Sequence, residues 1–160
     1  MLGVDRLAST ARSEPFTTTQ RRLVGITALL GILTVGHDVD HVRQGRGLPF
    51  VLYLVAVGAL VSIATTLIVL VRYRAWSRPV AMAQGITTVV GVGVVHVAPE
   101  WSKLADSYAA AGADTLSWLI ILAMMLAGLA LTVVAANQSS NRPSARCGWW
   151  DRRVEALDTE

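Results

Sequence analysis

The residues that could carry chemistry in this sequence are three histidines and a few carboxylates in two short segments. The first segment holds His37, Asp38 and His41. Two histidines four residues apart lie on one face of a helix, about one turn apart, as the paired zinc ligands of helical metalloproteases do. The second segment holds His96 and Glu100, also four residues apart. If the two segments lie side by side, these residues form a cluster suited to a divalent metal such as zinc.

Zinc centres with three protein ligands keep a fourth position for water or substrate. A carboxylate beside such a centre can orient an imidazole or act as a general base toward the water. We therefore predict that His37, Asp38, His41, His96 and Glu100 form a metal site. Asp38 and Glu100 are the candidate catalytic groups, and the chemistry indicated is hydrolytic or redox chemistry on the metal.

Two other interpretations of the cluster remain open from the sequence. Ionisable side chains near the end of a membrane helix reach the head-group region at little energetic cost. The cluster would then only pack helices, and the chain would be a non-catalytic accessory or scaffold subunit, working with a membrane protein partner or as a homo-oligomer. In the third interpretation, His41 and His96 are the axial ligands of a b-type haem. The neighbouring carboxylates disfavour haem, which needs an apolar slot.

The composition predicts that these residues are positioned inside a membrane protein. Of the 160 residues, 53% are hydrophobic and only 16% are charged, whereas soluble domains have about 25% charged residues. A small soluble globule needs charge to cover its large surface, so we expect a lipid bilayer as the solvent. The formal net charge of +3 does not indicate a nucleic-acid partner, because no basic motif of a nucleic-acid-binding fold is present.

Four apolar segments have the length to cross the hydrocarbon core of a bilayer, which takes roughly 20 helical residues. Pro49 and Pro79 suit the first turns of the second and third segments, and Asp114 suits the N-cap of the fourth. We predict an all-α integral membrane protein, a four-transmembrane-helix bundle in up-down-up-down order within residues 23–136. The predicted spans are about 23–42, 49–71, 79–98 and 115–136.

Basic residues divide unevenly between the two sides of the predicted bundle. Eleven of the 14 lie in the two tails and the second connection, and only Arg43, Arg46 and Lys103 lie on the opposite side. Cytoplasmic flanks are enriched in Lys and Arg, so both termini are predicted to be cytoplasmic, in a bacterial-type plasma membrane. The N-terminal tail is then 1–22 and the C-terminal tail 137–160, with an amphipathic segment around Trp150 and Val154. All three histidines fall on the outer side.

The helical projection predicts which side of the first helix faces the bundle. Small and polar residues pack against neighbouring membrane helices, and one stripe of them on this helix includes Thr34, Asp38 and His41. His37 lies at the edge of that stripe, and Asp40 points away from it. The outer connection 101–114 is predicted to form a short surface helix that acts as a lid.

Overall fold

The computed structural model describes residues 16–45, 49–99, 101 and 105–138, and within them it contains four long helices and no strand. A 3₁₀ turn, Arg74–Trp76, leads into the third helix, and a π-helical turn, Gly93–Val97, continues it. With these turns included, all four helices are long and apolar enough to cross a membrane, which confirms the all-helical prediction. The side on which each terminus lies stays a prediction. The helices are α1 (Thr18–Arg43), α2 (Phe50–Arg72), α3 (Ser77–Val92) and α4 (Thr115–Asn137).

The helix ends follow capping and proline positions. α1 begins five residues before the predicted span, because the Thr17 hydroxyl accepts a hydrogen bond from the Gln20 backbone N–H at 3.1 Å and caps the helix there. Pro49 directly precedes α2, whereas α3 begins two residues before Pro79. Asp114 is the N-cap of α4, as its position predicts. Polar residues of the tail therefore extend α1 beyond its apolar segment.

Successive helices run in opposite directions, and each packs on the next one in the chain. The first and last helices, α1 and α4, also pack on each other, so the four helices form a ring. Near one end, the Gln20 side chain at the start of α1 donates to the Leu70 carbonyl at the end of α2, at 2.7 Å. Near the other end, Ser117 at the start of α4 donates to Asp40 on α1, at 2.6 Å. The bundle therefore has up-down-up-down order, with α1 and α3 on the diagonal.

α3 and α4 approach each other closely at Gly85 and Gly128. A Cβ atom on Gly85 would lie 2.5 Å from the Gly128 carbonyl oxygen and would also overlap the Thr132 hydroxyl. Small residues at such positions let membrane helices approach backbone to backbone. This contact fixes α3 along its length and so fixes the position of the residues at its carboxyl end.

The outer surface of the bundle carries large aliphatic and aromatic side chains on all four helices. Examples with more than half of the side chain exposed are Ile32, Val39, Phe50, Val61, Val90 and Leu119. Soluble monomers rarely expose contiguous apolar surface on this scale. A ring of helices with satisfied backbone hydrogen bonds and an apolar exterior is suited to lipid.

Candidate metal centre

His37 and His41 lie one turn apart near the carboxyl end of α1, and His96 lies in the π-helical turn that ends α3. In this turn the Ala98 N–H donates to the Gly93 carbonyl at 2.9 Å, a bond that spans five residues. Such π turns are frequent at functional sites. All three histidines are buried. Two helices on the diagonal of the ring therefore meet through their histidines at one end of the bundle.

The three imidazole rings contact one another. Their centroids are 4.5 Å apart for His37 and His41, 4.7 Å for His37 and His96, and 5.8 Å for His41 and His96. One nitrogen from each ring can be chosen so that all three lie within 4.8 Å of one another. We call these residues the His triad. In the part of the chain that the structure describes, the His triad is the one group of three or more His, Cys, Asp or Glu side chains that are close enough together to hold a metal ion.

The His37–His41 pair has the spacing of two ligands on one metal ion. Their Nε2 atoms are 3.2 Å apart. Tetrahedral zinc with Zn–N bonds of 2.0–2.1 Å holds neighbouring nitrogens about 3.4 Å apart. A hydrogen bond between two neutral imidazoles has a similar length, in which one ring donates and the other accepts. These two rings therefore need only a small adjustment to bind one ion.

In each of two of these rings, the Nδ1 atom has a protein partner. Nδ1 of His37 lies 3.1 Å from the Tyr108 hydroxyl, and Nδ1 of His96 lies 3.2 Å from the Asp106 carbonyl oxygen. Histidines that bind metals generally donate their other N–H to such a group, which fixes the tautomer and the direction of the ring. When each Nδ1–H donates in this way, Nε2 carries the lone pair that a metal needs.

The connection between α3 and α4 supplies both of these partners. The Asp106 N–H donates to the Val95 carbonyl at 2.8 Å, and the Tyr108 N–H donates to the His96 carbonyl at 3.0 Å. These bonds satisfy carbonyls that the end of a helix leaves without intrahelical partners. They also draw Tyr108 into the bundle, where its side chain is fully buried.

The prediction of a surface helix in this connection is wrong over residues 105–114. Residues 105–107 have no regular structure, and a turn follows at 108–112. Gly112 takes a positive φ of 62°, a backbone conformation that favours glycine. In this part of the connection, the backbone donates hydrogen bonds to carbonyls at the end of α3. The connection forms a wall of the site through Asp106 and Tyr108.

Asp106 adds a carboxylate to the site that the sequence did not single out. Its Oδ2 atom lies 3.6 Å from Nε2 of His41 and 3.6 Å from Nδ1 of His96, and its side chain is 20% exposed. The carboxylate is thus close enough to interact with a metal or with a water molecule at the triad. The sequence feature that could have indicated Asp106 is its position, ten residues after His96, in a connection that has to return to the bundle.

The structure describes only one of the two carboxylates that were predicted as catalytic groups. Asp38 is half-buried on α1 and lines a cavity that the triad also lines. Glu100 lies outside the described residues, as does the predicted amphipathic segment around Trp150. Of the five predicted ligands, the structure thus brings the three histidines together and places Asp38 on the same cavity.

Asp40 points away from the stripe that contains Asp38, as predicted, but this direction does not lead out of the bundle. Its carboxylate is 3% exposed and packs against α4. It accepts hydrogen bonds from Ser117 Oγ and Gln44 Nε2, each at 2.6 Å, and from Arg43 Nε at 2.8 Å. The expectation of one bundle-facing stripe on α1 was too simple, because α1 packs on α4 on one side and on α2 on the other.

Arg43 and Asp114 extend this arrangement to the end of the bundle. Arg43 Nη2 lies 2.7 Å from a carboxylate oxygen of Asp114. The Ser117 backbone N–H, together with Arg43 and the Ser117 hydroxyl, lowers the pKa of the Asp114 carboxyl from 3.8 to about 2. We call Asp40, Arg43, Gln44, Asp114 and Ser117 the α1–α4 network.

A cavity of about 360 Å³ extends from the triad into the bundle. Binding sites for small molecules typically measure about 300–1,000 Å³. The histidines, Asp38 and Asp106 line one end, and the rest of the wall comes mainly from α2 and α3. Aliphatic residues form most of this wall, among them Leu52, Val55, Ala59, Ile63 and Val92. The candidate metal centre is therefore connected to a space that can hold a ligand.

In comparisons with protein-family models, curated proteins and solved structures, no match to this chain was found. The geometry of the site itself must therefore support any functional assignment.

Proposed function

We propose that this protein is an integral membrane metalloprotein that binds one divalent transition-metal ion through His37, His41 and His96. The observation that carries the proposal is the buried group of three imidazoles whose nitrogens lie within 4.8 Å of one another. Burying three imidazoles in mutual contact is expensive unless their nitrogens are satisfied. A metal ion would bind one nitrogen of each ring, while Nδ1 of His37 and Nδ1 of His96 keep the partners described above.

Zinc is the ion that the ligand set favours. Imidazole binds zinc, copper, nickel and iron, and three histidines with an open fourth position are typical of catalytic zinc. Sulfur ligands, which favour copper(I) and iron–sulfur clusters, are absent from the triad. The cavity beside the triad provides space at the fourth position.

A hydrolytic role fits this arrangement better than a redox role. A divalent zinc ion lowers the pKa of a coordinated water molecule to near neutrality and has no redox chemistry of its own. Asp106 and Asp38 are the carboxylates of the described chain that line the same cavity, so we assign them as candidate general bases. Glu100, which follows His96 by four residues in the sequence, stays a predicted fourth ligand or base.

The haem alternative has less support from the geometry. Haem needs an apolar slot with one axial histidine on each face. His41 and His96 instead both contact His37, with centroids 4.5 Å and 4.7 Å away. Helix packing alone remains the competing role. It predicts a bundle whose stability depends on the histidines but not on any ion.

Metal content separates these alternatives. The full chain is purified in detergent without chelator, and its metals are measured by mass spectrometry together with an absorbance spectrum. We expect one zinc per chain, no haem absorbance, and at least a tenfold loss of bound zinc in His41→Ala and His96→Ala. Gln20→Ala is the matched control, because Gln20 is a buried polar residue at the opposite end of α1. Wild-type protein that binds no zinc at micromolar free zinc would contradict the proposal.

We also propose that the triad lies at the outer side of a bacterial-type plasma membrane, with both termini cytoplasmic. The support is the excess of Lys and Arg in the tails and the second connection. Single cysteines at Gly45 and Ala111, in a Cys147→Ser background, should react with a membrane-impermeant maleimide added to intact cells. Labelling that requires broken cells at either position would reverse the orientation.

A further inference from the structure

The cavity beside the His triad has a length that matches half of a bilayer. Along α2 its lining runs from Leu52 to Ile63, and along α3 it runs from His96 back to Gln84. At 1.5 Å per helical residue, these stretches are about 16–18 Å long. The hydrocarbon core of a bilayer is about 30 Å thick, so one leaflet accounts for about 15 Å. The cavity thus extends from the polar end of the bundle to about its middle.

The cavity opens sideways between α2 and α3. Val55, Gly58 and Ser62 on α2 and Thr87 on α3 all line the cavity, yet all are exposed on the outer surface of the bundle. These two helices pack on each other less extensively than α3 packs on α4. Neighbouring positions on the same two helices also expose large aliphatic side chains, as Val61 and Val90 illustrate. A ligand that reaches the cavity from this side therefore comes from the apolar phase.

The inner end of the cavity is closed by a hydrogen-bonded group around Gln84. Gln84 Oε1 accepts from the Ser62 hydroxyl at 3.0 Å and from the Thr66 hydroxyl at 3.2 Å, and Gln84 Nε2 donates to the Thr88 hydroxyl at 3.3 Å. Because these polar groups bond to one another, they do not need a polar ligand. They limit how far an apolar ligand can extend.

We propose that the cavity binds a membrane lipid with one aliphatic chain along the α2–α3 wall and an ester or amide carbonyl at the His triad. The aliphatic wall of the cavity, its opening between α2 and α3 and its length all suit an aliphatic lipid chain. The carbonyl is selected because its oxygen is a ligand that a zinc ion polarises. The head-group part of the proposal rests on the proposed metal function, whereas the chain part rests on the cavity alone.

Photocrosslinking tests the chain part directly. The full chain in phosphatidylcholine nanodiscs is irradiated with a lysophosphatidylcholine that carries a diazirine at the end of its acyl chain, and labelled residues are mapped by mass spectrometry. We expect saturable labelling at the buried inner end of the cavity, around Gln84 and Thr88. Labelling confined to outer lipid-facing residues, or labelling that does not saturate, would overturn the proposal.

Filling the cavity provides the matched pair of variants. Ala59 is half-buried and lines the cavity, whereas Ala64 on the same helix is exposed and does not line it. We expect Ala59→Phe to reduce the saturable labelling at least tenfold and Ala64→Phe to leave it unchanged. Equal effects of the two variants would contradict binding in the cavity.

A competition series on the wild-type protein keeps the test decisive if Ala59→Phe does not fold. Unlabelled lysophosphatidylcholines of increasing chain length should compete better until the chain reaches Gln84, and no better beyond that length. A monotonic increase over the whole series indicates partition into the bilayer and overturns the proposal.

The head-group part is tested by comparing the ester lipid with its alkyl ether analogue, which lacks the carbonyl. The zinc-loaded wild type should prefer the ester at least threefold, and His96→Ala should lose that preference while its cavity still binds the chain. Saturable chain labelling in a protein that binds no zinc would refute the proposed metal function and leave the lipid site intact. Zinc binding without saturable labelling of the cavity would refute the lipid site and leave the proposed metal function intact.

Discussion

Two buried polar clusters lie next to each other at the same end of the bundle, and they differ in how their polar atoms are satisfied. In the α1–α4 network, the Asp40 carboxylate receives hydrogen bonds from Ser117, Gln44 and Arg43 at 2.6–2.8 Å. In the His triad, the imidazoles face one another, and the cavity adjoins them. His41 of the triad directly follows Asp40 of the network in the sequence.

The difference separates a structural role from a binding role. The Asp40 carboxylate accepts three hydrogen bonds, one of them from Ser117 on α4, so the network holds α1 on α4. The three imidazoles instead contact one another beside a cavity, and one nitrogen from each ring lies close enough to the others to share a metal ion. The helix-packing interpretation of the polar residues on α1 therefore describes Asp40 well, and the metal interpretation is the one that we propose for the histidines.

The largest expected effect is the loss of metal affinity when a triad histidine is removed. His96→Ala should lower zinc affinity at least 100-fold, equivalent to about 2.7 kcal/mol, because two imidazoles replace three. Zinc in excess should raise the unfolding temperature of the wild type and not that of His96→Ala. Isothermal titration and a thermal unfolding series with added zinc measure the two effects. A zinc-dependent stabilisation that persists in His96→Ala would place the metal elsewhere.

The second effect falls on the network and should leave the triad intact. Asp40→Ala should destabilise the bundle by about 2–3 kcal/mol, since it removes a buried charged acceptor and leaves the Ser117 hydroxyl without that bond. Zinc affinity should remain within about twofold of the wild-type value. Unfolding in mixed detergent micelles and zinc titration provide the two readouts. If Asp40→Ala weakened zinc binding as much as His96→Ala, the separation of the two clusters would be wrong.

A smaller effect is expected for the group that orients the triad from outside. Tyr108→Phe removes the hydroxyl that lies 3.1 Å from Nδ1 of His37 while it keeps the buried ring. Groups that orient ligating histidines typically contribute 10–100-fold to metal affinity or activity, and we expect the lower end, about tenfold. The control is Trp118→Phe, because the Trp118 ring packs edge to face on Tyr108, with centroids 5.7 Å apart, and Trp118 is itself 36% exposed. Equal zinc affinity in Tyr108→Phe and the wild type would remove Tyr108 from the site.

The smallest effect is at the exposed end of the network. The folded state lowers the pKa of Asp114 from 3.8 to about 2, so its ionised carboxylate stabilises the fold above about pH 4. This contribution is lost as the pH falls from about 4 toward 2, because the carboxylate is then protonated in both states. Unfolding curves of the wild type and Asp114→Asn should therefore differ above pH 4 and converge near pH 2. A difference that grows as the pH falls would have the wrong sign.

The sequence predicts the helices well because span length and proline position depend on local properties. Four apolar segments of about 20 residues are enough to predict four helices. The spacing of His37 and His41 also fixes their common face without further information. The meeting of these residues with His96 depends on how α3 is placed, and the Gly85–Gly128 contact places α3 through backbone proximity.

The loop residues of the site could not be predicted in the same way. Asp106 and Tyr108 reach the triad because their backbone N–H groups bond to carbonyls at the end of α3, a contact that no periodicity encodes. The role of Asp40 was missed for a different reason. A helical projection ranks faces of one helix, but it does not say that two neighbours, α2 and α4, lie on different sides of α1.

The most direct test of the central claim is X-ray absorption spectroscopy of zinc bound to the purified full chain. Coordination through His37, His41 and His96 predicts three imidazole nitrogens at about 2.0–2.1 Å from zinc, with one further light-atom ligand. The His96→Ala protein should show fewer imidazoles at that distance or no bound zinc. A zinc spectrum without imidazole scattering, or one identical in wild type and His96→Ala, would contradict the account.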